Sequence, residues 1–454
     1  MKILNKSGLY SFVALYAIIC PLIILHTFGY FTTNYSSLYI ETRPPGASIY
    51  LGNSLFKESS PTTLEELLPG YYFMQLKLKD HQLAYYRIWL AQAEDKALDK
   101  VLFLPDKPIA KKLSDRVFEN LTTFFVDDLF IVNEGPNIRD YFFYNWRYDK
   151  LMPFISEGIV PWGSKVLSIF SVRGSEAILV KCDALGVKKY IFLKPLSDSV
   201  LVKDITDLVT GDPSRIEWDP KDLSQLFSFQ DNFINRIDLN SGRNSPRYFE
   251  DAIGYGAYKR GVLVVKEIKT VKVYDFEKNK VIDLINDPLQ GRFLFSEGGY
   301  FKVRPLFGNV ILFLGLKKGS LSLNKAPYRF VEEGVKDFIF DYQLRRILLW
   351  QDDKVGIIDL GAERLGVSQT PKVIWVFKGA NKIEQAFFVY QGSHIIIRDD
   401  NEVFLFELNY ASLERLNPIV RVKEGSSILY SEETGLLYYL DPMTNKLISY
   451  PIIP

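Results

Sequence analysis

The side chains of this chain that are equipped for chemistry are widely scattered, and their spacing decides how they are read. Acidic clusters occur at Asp127-Asp128, Asp352-Asp353 and Asp399-Asp400-Asn401. Each falls where one β-rich run reverses into the next, a position that favours Asp and Asn because their side chains bond to nearby backbone groups. They read as solvated turns. Calcium at one of them would require further oxygens converging from elsewhere, and no regular calcium loop is present. The three histidines, His26, His81 and His394, lie in separate regions, which argues against a histidine-rich zinc centre. Cys182, within ILVKCDAL, has no neighbouring His or helix start to lower its pKa and reads as a buried strand residue, with a reactive thiol as the weaker alternative.

The local motifs of catalysis are missing as well. There is no GxSxG elbow, HExxH pair, GxxxxGK[ST] loop or GxGxxG turn, and Gly254-Tyr255-Gly256 lacks the strand-to-helix context that a dinucleotide site needs. Two carboxylates meeting in a central cavity would suit glycoside hydrolysis, but no feature selects which two. We therefore assign no catalytic, cofactor-binding or metal-binding residue and read the chain as a non-enzyme without a cofactor. The aromatic run Tyr141-Phe142-Phe143-Tyr144-Asn145-Trp146-Arg147-Tyr148 has two readings, packing between sheets or an exposed recognition patch, since aromatic and Arg side chains anchor interfaces. Packing is preferred there, as it is for Trp218, Trp350 and Trp375. Arg345-Arg346 is too local to attract nucleic acid, and 55 Lys plus Arg against 54 Asp plus Glu supply no general attraction either.

The elements that must hold these residues begin with an apolar run from Leu9 to Phe31 that contains no Asp, Glu, Lys or Arg. A helix needs about 20 apolar residues to cross a bilayer, so this run is read as a transmembrane helix over 9–31. Lys2 and Lys6 precede it, which makes 1–8 a short cytoplasmic N-terminus and places everything after the run outside the cytoplasm. A cleaved signal peptide is the alternative. Its apolar core is normally about 7–15 residues and ends at small residues, whereas this run is longer and passes into His26-Thr27-Phe28-Gly29-Tyr30. Bulky Ile18-Ile19 before Cys20 and Pro21 after it disfavour lipoprotein processing, so Cys20 reads as a small apolar residue facing lipid or a neighbouring helix.

Beyond the run, the chain has the aromatic content of a β protein, 27 Tyr and 33 Phe, and cannot be a disordered stalk. Cys20 and Cys182 are the only cysteines, so no disulfide is expected to build either part of it. Residues 38–104 alternate short apolar strands with turns: Leu38-Tyr39-Ile40, then Pro44-Pro45-Gly46, then Ile49-Tyr50-Leu51 and Gly52-Asn53. Pro69-Gly70 restarts extended structure, with alternation from Tyr71 to Leu78 and from Tyr85 to Leu90. The pattern describes a small β-sandwich. Its skeleton of Leu38-Ile40, Pro45-Gly46-Ala47, Ile49-Leu51 with Gly52, Ser60-Pro61-Thr62 and Leu67-Leu68-Pro69-Gly70-Tyr71 resembles the PEGA domain, with Pro45 where that family has its eponymous glutamate. The resemblance implies adhesion, presentation or assembly at a cell envelope, and carries no catalytic set.

From 105 to 454 the rhythm changes to β-rich blocks joined through Gly, Asp or Asn turns, recurring at roughly 40 residues, the interval of four-stranded propeller blades. Seven or eight blades fit the blocks. Val101–Leu104 or the segment from Pro108 to Leu113 is available to complete the last sheet, so 101–113 is a candidate closing strand. Tyr430-Ser431-Glu432-Glu433-Thr434-Gly435-Leu436-Leu437-Tyr438-Tyr439-Leu440-Asp441 resembles the strand-turn-strand pattern of TolB-like or quinoprotein-like propellers, which implies the fold and no cofactor.

The fold class is therefore all-β: one transmembrane helix, a PEGA-like sandwich and a seven- or eight-bladed propeller. The function read from it is a membrane-tethered extracytoplasmic scaffold or recognition protein that binds an envelope protein, with polysaccharide binding second and a carbohydrate-active enzyme third. Protease added to intact spheroplasts is expected to digest the portion from Gly46 onward, and protection until lysis would overturn this topology.

Overall fold

In the computed structural model, residues 19–20, 35–107 and 109–453 are described, apart from 124–128, 156–157, 172–176, 220–221, 231–232, 251, 259, 268–269, 276–279, 286–300, 308–309, 324–329, 362–371, 410 and 414. Of 252–285 the backbone alone is described, Gly256 excepted. Most of the expected membrane helix over 9–31 thus lies outside the described residues. Among those described, no helix is long and apolar enough to cross a membrane. Apart from two single-turn 3-10 helices, Ile138–Asp140 and Thr206–Leu208, and the helical Ile19-Cys20, the ordered elements are β-strands.

The chain divides into two compact units. In the first, strand β1 (Ser36–Arg43) buries alternate residues, so that Leu38 and Ile40 enter the core while Tyr39 and Glu41 face outward. Then follow β2 (Ser48–Leu51), β3 (Ser54–Ser59), β4 (Thr62–Leu67), β5 (Gly70–Lys77), β6 (Ala84–Leu90) and β7 (Asp95–Leu102). They form two sheets, ordered β4-β1-β7 and β3-β2-β5-β6, whose apolar faces share one core. Gly46, at φ +94°, supplies the left-handed backbone for the reversal between β1 and β2. The polar groups that this core buries are hydrogen-bonded: the Thr42 hydroxyl is 2.5 Å from that of Ser60 and donates to the Pro44 carbonyl at 2.7 Å. Val101 pairs with Thr42 across β1 and β7, so the end of β7 belongs to this unit and not to the closing strand of the second. The unit also takes in 409–414. There the Ala411 carbonyl accepts the Arg87 N–H at 2.7 Å and Leu413 N–H donates to Tyr85 at 2.9 Å, which covers the otherwise open edge of β6.

The second unit contains, among the described residues, eight four-stranded antiparallel sheets that follow one another along the chain. In seven of them the strand order is the chain order. The eighth departs from chain order: its strands Leu429–Ser431, Leu436–Leu440 and Leu447–Pro451 are completed by β8 (Lys111–Lys112), from the start of the unit. Ser449 pairs with Lys111 and Ile448 with Lys112, while Leu113 N–H donates to the Leu447 carbonyl at 2.9 Å.

Packing joins the sheets in sequence. The first sheet, β9 (Asn120–Thr122), β10 (Leu129–Asn133), β11 (Tyr141–Asn145) and β12 (Lys150–Pro153), shares a core with the second, in which Phe143 and Phe154 meet Ile178 and Ile191. Leu179 and Tyr190 of the second meet Trp218 and Leu226 of the third. The third lies beside the fourth, Arg215–Trp218 against Ala252–Tyr258. The fourth approaches the fifth so closely at Gly256 that a β-carbon there would collide with the Val303 carbonyl oxygen. The glycine examined above as part of a nucleotide turn is thus a packing glycine. Further cores join the fifth to the sixth and the sixth to the seventh. Between the seventh and eighth, Ile428 N–H donates to the Gln385 side chain at 2.8 Å.

The eighth sheet then meets the first. Phe130, fully buried, packs against Tyr144 (4.9 Å between centroids) and Tyr438 (5.3 Å) with tilted rings, within a cluster that includes Phe118, Leu440 and Leu447. Successive sheets around a common centre, closed by a strand from the start, constitute a β-propeller arrangement. Phe130→Ala would leave a cavity at this closing seam, and we expect it to lower unfolding stability by about 3–5 kcal/mol, measured by urea denaturation of the full chain.

Candidate binding cavity

The first strands of the third, fifth, sixth, seventh and eighth sheets converge on a cavity of about 910 Å³. Strand alternation decides what each contributes. In Arg215–Trp218, Ile216 and Trp218 turn into the core while Arg215 and Glu217 line the cavity. In Phe301–Pro305, the strand's Lys302 and Arg304 reach it; in Asp337–Asp341, Asp337 does. Ile383–Val389 supplies Glu384, Phe387 and Phe388, and Leu429–Ser431 with the turn after it supplies Tyr430, Glu432 and Glu433. The wall is therefore mixed, aromatic and aliphatic surface interrupted by charges of both signs.

Each carboxylate lining the cavity among the described residues is engaged. Asp337 accepts from Lys302 Nζ at 2.6 Å, and Glu217 from Arg215 Nε at 2.5 Å. Glu433 pairs with Arg147 at 3.2 Å and Glu384 with Lys382 at 2.7 Å. Glu432 accepts two backbone N–H groups, from Tyr390 at 3.1 Å and Gln391 at 2.8 Å. The carboxylates of the wall are thus held by partners within the protein. Such a wall suits recognition by hydrogen bonds and apolar contact.

The aromatic run of β11 is divided by the fold. Phe142 and Tyr144 enter the seam between the first and eighth sheets, and Phe143 enters the core shared with the second. Burial beside Asp149, to which its hydroxyl donates, pushes the Tyr144 pKa up. Trp146 and Arg147, beyond the strand end, line the cavity, and Tyr148 is exposed. Packing and cavity lining thus share one octapeptide. Trp218 is core and Trp375 packs beside the fifth and sixth sheets with Lys354 Nζ 3.9 Å above its ring. Trp350 is buried in the core between the sixth and seventh sheets and borders the cavity.

The acidic turns diverge. Asp127-Asp128 lie outside the described residues. Asp352 is largely exposed and pairs with Lys336 at 2.5 Å, in the turn between Arg346–Trp350 and Lys354–Asp359. Asp399 corrects the solvated-turn reading: it is 3% exposed, and its carboxylate accepts N–H groups from Ala380 (3.0 Å) and Asn381 (3.1 Å). Its role is to tie down the loop that enters its own sheet. Arg345 stacks over Phe307, and Arg346 donates to the Gly392 carbonyl at 3.3 Å. Among the described residues, no group of three or more His, Cys, Asp or Glu is placed to hold a metal. Cys182 is buried, with its thiol pKa pushed up to about 11 by desolvation, and so is poorly nucleophilic. His81 lies in the first unit, its Nδ1 2.8 Å from the Lys79 carbonyl, and His26 falls outside the described residues.

Comparison with known proteins bears mainly on the first unit. Residues 35–102 match the PEGA domain family. The match stops where β7 ends, and the alternation and turns that carried the resemblance are those of its two sheets. No curated protein matches the chain. Among solved structures, it is similar to the β-propeller domain of Myceliophteria thermophila Cps50 (Swd1), at 9% identity and a TM-score of 0.40, over 75% of this chain and 98% of that one.

His394 generates a prediction about pH. It is 2% exposed, and burial lowers its pKa from 6.5 to about 4. The folded state holds it neutral, so between pH 6.5 and about 4 the unfolded chain binds a proton that the folded chain does not, and stability falls as pH falls through that window. The His394 share of the loss is expected to be on the order of 3 kcal/mol. Urea midpoints at pH 7 and pH 4.5 should draw together in His394→Leu compared with the unchanged protein.

Proposed function

We propose that this protein is a membrane-tethered extracytoplasmic recognition protein whose propeller binds an envelope protein through the cavity, while the apolar run over 9–31 confines it to the bilayer. The observation that carries the reading is the cavity wall: aromatic side chains from several sheets surround carboxylates that are already paired or bonded. Confinement in two dimensions raises the rate at which a weakly held partner is met again, which suits a scaffold. The eight sheets are read as eight blades of a single propeller. The TolB-like or quinoprotein-like character of the last of them belongs to the same proposal.

A polysaccharide ligand is the second reading, favoured by the aromatic surface at Trp146 and Tyr430 beside polar groups. Glycoside hydrolysis is the third. It would need one of the paired carboxylates to release its cation and take up a proton.

A photo-crosslinking side chain in place of Trp146, used in native membranes, separates these readings. A reproducible protein adduct is expected, and Arg147→Ala in the same background should weaken it several-fold through loss of a cationic contact in the cavity wall. Recovery of glycan alone would assign the cavity to saccharide. Turnover of a glycan that disappears in Glu217→Gln or Asp337→Asn, with folding intact, would make the protein an enzyme.

A further inference from the structure

The small β domain carries an apolar surface that its own fold leaves unused. Alternation along β5 and β6 turns Met74, Leu76, Tyr86, Ile88 and Leu90 into the core, and the intervening positions face out. Tyr71 and Trp89 sit directly opposite each other across the two strands with ring centroids 4.6 Å apart, yet they are 62% and 48% exposed. Phe73, one place further along the same face, is 59% exposed. The Arg87 guanidinium lies 4.8 Å above the Tyr71 ring and 5.8 Å from that of Phe73.

The position of this patch in the domain gives it a meaning. Ser36, the first residue of β1, pairs with Leu67, and its hydroxyl donates to the Ala91 carbonyl at 2.6 Å, two residues beyond Trp89. The end of the sandwich from which the chain leads back to the apolar run is thus the end that bears Tyr71 and Trp89. Two more exposed apolar side chains, Tyr35 and Leu68, lie at that end. Residues 32–35 separate the run from β1, and fully extended they span at most about 14 Å.

We propose that this aromatic end of the small domain docks on the bilayer surface at the level of the lipid headgroups. The proposal rests on the reading of 9–31 as membrane-embedded, which puts the headgroup layer within reach of Ser36. Tyr and Trp rings are amphipathic and favour this layer, and Arg87, lying over the Tyr71 ring and near that of Phe73, offers a fork of donors to lipid phosphate. The carboxylates at the same end select the kind of surface. Glu65 and Glu66 are exposed, Asp95 accepts from the Ser37 hydroxyl at 2.6 Å, and Glu94 is tied to the Ala91 N–H at 2.6 Å. Lys96 at this end pairs with Glu94 at 3.6 Å and donates to the Trp89 carbonyl at 2.7 Å, yet the carboxylates outnumber the cations and oppose attraction to a strongly anionic membrane, so the occupant is a zwitterionic headgroup surface held by ring insertion and Arg87. The consequence is orientation: the domain stands on the membrane with one end down and does not swing freely about 32–35.

The test uses the full chain reconstituted into phosphatidylcholine liposomes, some of whose lipids carry a nitroxide on the headgroup. Tryptophan emission should be quenched by the labelled lipid, and Trp89→Phe, which keeps a ring at the position, should remove most of that quenching. Equal quenching of the two proteins would overturn the docking. Extraction of the liposomes with carbonate tests the anchor separately. A chain that stays with the lipid but shows no Trp89-dependent quenching retains the anchor and loses the docking, whereas a chain that is released loses both. A shift of Trp89 emission on adding soluble oligosaccharide, without quenching by labelled lipid, would also overturn the proposal and assign the face to glycan.

Discussion

Closure of the ring is the constraint on which the second unit depends. A four-stranded sheet buried on both faces is stable only between two neighbours, so a row of such sheets always leaves one apolar face at each end. Here the two end faces are given to each other at the seam of Phe118, Phe130 and Tyr144 with Tyr438 and Leu447. Backbone bonds fasten the same place: Leu113 to Leu447, Phe118 to Asn445 and Ser427 to Leu121, groups that stand hundreds of residues apart in the chain. The entropy of closing so long a loop grows only with the logarithm of its length, and the buried rings and ladder bonds at the seam offset it.

Closure also creates the cavity chemistry. Arg147 and Glu433 belong to the first and last sheets and form an ion pair only when these are adjacent. Lys302 and Asp337 join the fifth sheet to the sixth in the same way, and Tyr390 and Gln391 of the seventh bond to Glu432 of the eighth. These charged groups of the wall thus serve as contacts between sheets as well as lining, whereas Arg215 pairs with Glu217, and Lys382 with Glu384, within one sheet. On the proposed reading, a ligand entering there would meet a surface whose carboxylates are already partnered, so discrimination would rest on shape and on the aromatic side chains between the pairs.

How much of this was legible in the sequence follows from the same physics. Strand alternation and turns containing Pro-Gly, Gly, Asp or Asn are local, and they marked the small domain and the repeating blocks wherever a strand has a wet face and a dry one. β8 carries no such pattern: the segment from Pro108 to Leu113 was a candidate only because the last block shows three strands and the ring needs a fourth, and the structure takes that candidate over Val101–Leu104. Lys111-Lys112 has no apolar alternation, is exposed, and is a strand only because the edge of Leu447–Pro451 needs a partner. The segment Thr62–Leu67, acidic and leucine-containing, is likewise a strand because β1 needs an antiparallel neighbour. The cavity was invisible for a different reason: Arg215, Lys302, Asp337, Glu384 and Glu433 have no fixed spacing and are brought together by the ring. Asp399 was misread because a turn aspartate and a buried loop anchor look alike until Ala380 and Asn381 arrive beside it.

The aromatic residues show where local pattern stops being informative. Along β11 the rings of Phe142, Phe143 and Tyr144 are driven inward by alternation between two cores, one on each face of the sheet, so an unbroken apolar run is what a fully enclosed blade requires. In the small domain one face of β5 and β6 is enclosed and the other is open, so apolar residues at Tyr71, Phe73 and Trp89 break the expected alternation of apolar inside and polar outside. The same residue types are structural in the first case because a second sheet covers them, and in excess of structural need in the second because nothing in the domain does. Burial decides between the two meanings, and it separates the rings that hold this protein together from those left to meet something else.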